Sequence, residues 1–261
     1  VLDSDLTAQN IKKSSQKHLW SEKDNAYRDG FESDLITQQT QVYAVNYGLV
    51  PEEQKKTVIK FIKNQGRSCE QSFSYWLLNS MFSEGEVQWA LDYIRKNWGE
   101  QMNRNDFNGA WFENWIPKLG RSKSHAWGAG PTALLIEKVL GVQPITPGWK
   151  EFQIKPNLGD LEWCKGLVPS IAGDISVSIK NKNERGLEMN VLIPQKTVSK
   201  IYLPFKSLKQ ASIKINDKIM WKNNKFIGGN KKISFDSQTD FFIVLKFQPG
   251  NYSIHTSFEN K

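Results

Sequence analysis

Residues 142–160 read VQPITPGWKEFQIKPNLGD, and the chain changes character across them. The stretch is rich in Pro and Gly, which break regular elements, so it reads as a linker that packs on its neighbours. Upstream the apolar spacing is helical. Asp5 to Trp20 fits a helix with Leu6, Ile11 and Leu19 as apolar positions, and Asp34 to Tyr47 fits a second closed by Gly48. Pro51 takes the first position of a third, whose Val58, Ile59 and Ile62 share one face. Ser72 to Phe82 is apolar and aromatic and breaks at Gly85, whereas Val87 to Trp98 is amphipathic through Val87, Ala90, Leu91 and Ile94. A last helix runs from Pro131 to Leu140 and ends at Gly141. Aromatic helices alternating with amphipathic ones fit the inner and outer helices of a toroid of helical hairpins, and about six helices would make half of a twelve-helix toroid.

Downstream the period is two. ISVSIK (175–180), LEMNVLI (187–193), KIYLP (200–204), SIKI (212–215), FFIVLKF (241–247) and YSIHTSF (252–258) read as strands, with a tight hairpin expected at Asn216-Asp217. Short strands at regular spacing predict an antiparallel β-sandwich. The fold class expected is therefore multidomain α and β: helical hairpins over residues 1–145, then a β-sandwich with its linker over 146–261.

The composition narrows the chemistry. With 261 residues the chain can bury two real cores. The net charge of +8 suggests nucleic acid, but the lysines are scattered from Lys180 to Lys246 without a compact basic run or a nucleic-acid motif, which favours a solvated face. Cys69 and Cys164 lie far apart and only His18, His125 and His255 are available, so no zinc site, and no cofactor, is expected. No 18-residue apolar run exists, so no membrane span is expected. The start, VLDSDLTAQN, has neither an initiator Met nor a signal-peptide pattern, as in a processed product or an expressed fragment. Ten Trp favour a ligand that stacks on rings, such as a carbohydrate, although most Trp serve cores.

The candidate site is Phe107 to Gly130, FNGAWFENWIPKLGRSKSHAWGAG. Glu113 stands between Trp111, Phe112 and Trp115, a Pro-Lys-Leu-Gly turn follows, and His125 and Trp127 lead into the last helix. Aromatic faces stack on the C–H faces of sugars, and a carboxylate among them can take a proton from water. The bland alternative for Glu113 is a loop Glu that caps the Ser122 region or pairs with Lys118. His125 is either a hydrogen-bonded core His or a sugar-hydroxyl contact. Trp111, Trp115 and Trp127 are stacking candidates against core packing. Tyr75 and Trp76 read as core, Trp149 and Trp163 as pins between domains; Asp29 and Glu32, in an inter-helix loop, read as capping or solvated acids ahead of substrate contacts, and Glu70 as a helix-start acid ahead of a pocket residue.

Three segments carry a family resemblance: QQTQVYAVNYGLVPEEQKK, ALDYIRKNWGEQMNRNDFNGAWFENW, and SHAWGAGPTALLIEKVLGVQPITPGWKEFQIKPNLGDLEWCKGLVPSIAGDISVSI. Together they resemble the barrel-to-sandwich junction of α-L-rhamnosidases of glycoside hydrolase family 78, over roughly residues 30 to 205. The resemblance implies the C-terminal half of an (α/α)6 barrel and a C-terminal β-sandwich. It implies removal of terminal α-L-rhamnose with inversion, for soluble enzymes that are periplasmic or secreted. It puts Glu113 in the place of the general base, in a Thr-x-Trp-Glu motif from which this chain departs: Phe112 stands where the family has Trp, and Gly109-Ala110 replace a small, hydroxyl-bearing pair. The family's general acid lies in an N-terminal half of the barrel with no counterpart here, so this chain alone is expected to be inactive or feeble, with that missing half as its partner beside the carbohydrate. The competing readings are a non-catalytic carbohydrate-binding module and a structural domain.

Overall fold

In the computed structural model, residues 4–116, 121–205 and 211–258 are described. Contacts divide the chain into two compact units, Val1–Leu134 and Leu135–Lys261.

The first unit is helical. Helices α1 (Ser4–Leu19), α2 (Gln38–Asn46), α3 (Glu52–Gln65), α4 (Ser74–Ser83), α5 (Val87–Met102) and α6 (Gly130–Leu134) follow in order, with a short ribbon of β1 (Trp20–Ser21) and β2 (Ala26–Tyr27) between the first two. Helix α2 packs on α3 and α4, and α4 packs on α5 and α6. The amphipathic pattern is met in α3, whose Val58, Ile59 and Ile62 are buried, and in α5, which buries Ala90, Leu91 and Trp98. Helix α2 starts later than the sequence suggests, because Thr37 caps it: the Thr37 side chain accepts from the Thr40 amide. Asp29 supports that cap by accepting from the Thr37 amide and from both threonine hydroxyls.

Amides tie this unit together. Gln38 Nε2 donates to the Ile62 and Gly66 carbonyls at 2.9 Å each, taking up acceptors that the end of α3 would leave bare. Gln41 accepts from the Tyr27 amide at 2.8 Å and donates to the Tyr27 carbonyl at 2.7 Å. Asn46 Nδ2 donates to the Trp76 carbonyl at 2.9 Å, and Asn79 Nδ2 to Asn46 Oδ1 at 2.7 Å, which joins α2 to α4.

The second unit is β-rich. It begins with a wide helical turn, Leu135–Leu140, in which the Gly141 amide donates to the Ile136 carbonyl. Gly141 ends it with φ +82°, and a Cβ there would collide with the Lys155 backbone, so only Gly fits. The strands are β3 (Val142–Pro144), β4 (Glu151–Ile154), β5 (Trp163–Val168), β6 (Ile175–Asn181), β7 (Gly186–Ile193), β8 (Val198–Pro204), β9 (Ala211–Ile215), β10 (Lys218–Lys222), β11 (Lys225–Phe226), β12 (Ile233–Gln238), β13 (Phe242–Phe247) and β14 (Gly250–Phe258). A seven-stranded sheet has the order β11-β10-β9-β14-β7-β6-β5, and a five-stranded sheet the order β12-β13-β8-β4-β3. All pairs are antiparallel except β4 with β8.

The stretch 142–160 is thus more than a linker: it supplies β3 and β4 to the five-stranded sheet. Inward residues of both sheets, among them Phe152, Ile175, Ile179, Leu203, Leu245 and Phe247, form one apolar core. Asn216 and Asp217 both have positive φ (46° and 63°) and pair Lys218 with Ile215, the expected two-residue hairpin. Asn223 and Asn224 make a second such turn between β10 and β11.

Candidate functional site

Glu113 lies on one of two antiparallel segments that follow α5. The Glu113 amide donates to the Ser122 carbonyl at 3.0 Å, and the His125 amide to the Trp111 carbonyl at 2.8 Å. Residues 117–120, where the sequence led to the expectation of a turn and where Lys118 falls, lie outside the described residues. The Glu113 carboxylate accepts from the Ser122 amide at 3.1 Å and from Arg121 Nη1 at 3.1 Å. The Ser122 N–H holds the carboxyl below the ordinary glutamate range, aided by the charges of Arg121 and His125 and opposed by desolvation. The side chain keeps some contact with solvent. It is therefore a fixed carboxylate at neutral pH, able to accept a proton but not to give one.

His125 is half-buried, with its ring edge-on to Trp127 at 5.3 Å. Trp127 is 66% exposed and lines an open groove of about 570 Å³ with Tyr43, Ser72, Phe73, Tyr75, Trp76, Ala126 and Gly130. Tyr43 is T-shaped to Phe73 at 5.1 Å, and Tyr75 to Trp76 at 5.2 Å. Apolar rings around a few hydroxyls suit a sugar, whose C–H faces stack while its hydroxyls bond at the rim.

The five residues singled out by sequence are thus distributed. Glu113, His125 and Trp127 fall in one run of neighbours: the charge of His125 acts on Glu113, and its ring touches Trp127. Trp111 is half-buried and leans on Phe107 at 5.4 Å. Trp115 turns into the helices: its indole N–H donates to the Cys69 carbonyl at 2.8 Å, and its ring meets Trp98 edge-on at 4.9 Å. Neither is among the groove residues.

Tyr75 and Trp76, expected in the core, line the groove instead, because α4 buries Leu77, Leu78 and Met81 on its other side. Trp163 stands 59% exposed on β5 under the Lys165 ammonium, while Trp149 packs on Phe152 inside its own unit. Glu70 accepts from Asn114 Nδ2 at 3.1 Å. Among the described residues no group of three or more His, Cys, Asp or Glu is placed to hold a metal ion, and no helix is long and apolar enough to cross a membrane.

Comparison with known proteins gives a consistent picture. Residues 141–217 match the family described as the bacterial α-L-rhamnosidase C-terminal domain. The structure of an α-L-rhamnosidase from Dictyoglumus thermophilum superposes with a TM-score of 0.75 at 18% identity, over 95% of this chain and 28% of that one. The family 78 rhamnosidase of Bacillus sp. GL1 superposes with a TM-score of 0.67 at 27% identity, over 75% of this chain and 22% of its own. The Streptomyces avermitilis α-L-rhamnosidase, solved with L-rhamnose, gives 0.72 at 17% identity, over 97% and 24%. This chain spans about a quarter of the length of these enzymes. No curated protein sequence matches it. Residues 141–217 therefore match the C-terminal domain family of bacterial α-L-rhamnosidases, and the helices followed by antiparallel sheets are similar in fold to a part of the α-L-rhamnosidases, one of them of glycoside hydrolase family 78.

Proposed function

We propose that this chain carries the general-base side of an inverting α-L-rhamnosidase active site, with Glu113 as the base. In this reading residues 1–145 are half of an (α/α)6 barrel and residues 146–261 a β-sandwich, and the general acid comes from the rest of a longer, secreted or periplasmic enzyme. Water bound to Glu113 attacks the anomeric carbon of a terminal α-L-rhamnose. As the new C–O bond forms, its proton passes to the Glu113 carboxylate, and the acid protonates the departing glycosidic oxygen. Inversion requires the two carboxyls to stand about 6.5–9.5 Å apart, with the water on the base side. His125 donates to or accepts from a sugar hydroxyl, and Trp127 stacks on the ring. Trp111 and Trp115 act as supports around the Glu113 segment.

The observation that supports this reading is a carboxylate held by the Ser122 amide and Arg121, near enough to His125 to feel its charge, with the His125 ring edge-on to Trp127 of an aromatic groove. A second reading, carbohydrate binding without chemistry, draws on the same contacts, since Arg121 and Ser122 engage both carboxylate oxygens. Calorimetry with L-rhamnose, alongside release of p-nitrophenol from p-nitrophenyl α-L-rhamnoside, tests both. The proposal expects binding without turnover by the chain alone, binding retained in Glu113→Gln, and binding lost in Trp127→Ala. Absence of binding sinks the proposal. Turnover by the chain alone that Glu113→Gln abolishes keeps the base but contradicts an acid supplied from elsewhere.

A further inference from the structure

Two buried amides of the first unit, Gln71 and Gln101, meet behind the segment that carries Glu113. Gln71 and Gln101 are 0% and 1% exposed. Gln101 Nε2 donates to Gln71 Oε1 at 2.8 Å, and Gln71 Nε2 donates back to Gln101 Oε1 at 3.2 Å. Gln101 Oε1 also accepts from the Phe112 amide at 3.3 Å, and its Nε2 donates to the Asn114 carbonyl at 3.4 Å. A carboxamide has two donors and two acceptor positions, and Gln101 uses all four. Two of them grip the backbone on either side of Glu113.

The second segment is held from the same place. Trp98 lies one turn before Gln101 on α5, and its indole N–H donates to the Gly128 carbonyl at 2.7 Å; Gln71 Nε2 reaches that carbonyl at 3.5 Å. Gly128 passes so close that a Cβ would sit 2.6 Å from the Phe112 carbonyl oxygen, and the Phe112 ring is fully buried beneath. Burying two carboxamides costs free energy that an apolar pair of the same volume would avoid, so the full pairing of Gln101 and the three bonds of Gln71 mark a demand for geometry rather than for cohesion.

We propose that Gln101, locked by Gln71, is a positioning clasp that sets the backbone on both sides of Glu113 and so holds its carboxylate against the Ser122 amide. Its catalytic meaning rests on the reading of Glu113 as base; the clasp itself does not. Gln101 does not touch substrate, and it acts through the Phe112 and Asn114 backbone.

The test is NMR on the full chain, following the titration of the Glu113 side-chain carboxyl and amide exchange at Glu113 and at Val58 and Ile62 of α3. Gln101→Met removes all four bonds at nearly constant volume, and Arg121→Ala serves as the direct perturbation of the carboxylate. In folded Gln101→Met the Glu113 midpoint is expected to rise toward that of a solvated glutamate. Its amide should exchange about tenfold faster while the α3 amides hold, as for a local opening. An unchanged midpoint in the folded variant overturns the clasp, as does a loss of protection shared equally by α3. Should Gln101→Met not fold, Gln71→Met carries the same readout, since it removes the two bonds that lock Gln101 in place and loosens its grip on Phe112 and Asn114. A smaller rise there supports the clasp, and no rise overturns it. Failure of the base reading shows separately, as absence of L-rhamnose binding by the unmodified chain, and leaves the titration result standing.

Discussion

Both units bury apolar side chains, but they differ in the polar groups buried with them. The β-rich unit draws residues of both sheets into one apolar core and buries few polar groups: Thr197, Ser199 and Thr256. The helical unit buries Gln38, Gln41, Gln71, Asn97 and Gln101 and leaves Tyr43, Tyr47, Trp76 and Trp127 exposed. Apolar burial is non-directional, so it gives cohesion with little demand on orientation. Buried amides are directional, and each must find its partners. The helical unit thus adds directional amide contacts to its apolar core, several of which fix loop backbone, while the sheets rely mainly on apolar burial.

The largest expected effect lies in the sheets. Phe247 is fully buried and edge-on to Tyr252 at 4.9 Å. Phe247→Ala should cost about 3–5 kcal/mol, read from urea unfolding followed by the β-sheet circular dichroism signal. A loss below about 1 kcal/mol would break the picture of one continuous core. In the helical unit Gln41→Leu strands the buried Tyr27 amide and carbonyl and should cost about 1–3 kcal/mol. A neutral result in the thermal unfolding of that variant would show that water replaces the amide and that the directional argument fails there.

Trp127→Ala sharpens the comparison from the other side. As an exposed residue it should change stability by no more than about 0.5 kcal/mol while abolishing sugar binding in calorimetry. A large loss of stability would return Trp127 to a packing role. The smallest effect is electrostatic. Arg104 and Lys123 hold Asp106 down to about 2, from an ordinary value of 3.8. A depressed carboxyl stabilises the fold above its unfolded value, and that contribution is lost as pH falls through the folded one. The thermal midpoint of Asp106→Asn should therefore lie slightly below that of the unmodified chain at neutral pH, and the gap should close as the pH falls from 3.8 toward about 2. A gap independent of pH would mean that the pair contributes nothing, as many exposed pairs do.

Much of the fold was legible because periodicity is a long-range signal. Helices α3 and α5 repeat their apolar positions over several turns, and β6 and β7 alternate over six or more residues. Strands β3 and β4 have three and four residues among prolines, too short for a period to register; they pair with each other, and the other partner of β4, β8, lies far along the chain. Of the site, Glu113 and Trp127 stood out because a carboxylate among rings is chemically conspicuous. Trp76 misled because an apolar helix reads as buried all round, whereas α4 buries one side and turns the ring outward. Gln71 and Gln101 gave no signal at all: glutamine is a common helix residue, and only the folded chain shows its four bonds.

The most direct test of the account is a heteronuclear NMR titration of the chain with L-rhamnose, following the indole N–H resonances. The account predicts progressive shifts at Trp76 and Trp127, together with the backbone amides of Glu113 and His125. Shifts confined to Trp163 or Trp221 in the β-rich unit, or no shift at any concentration reached, would contradict it.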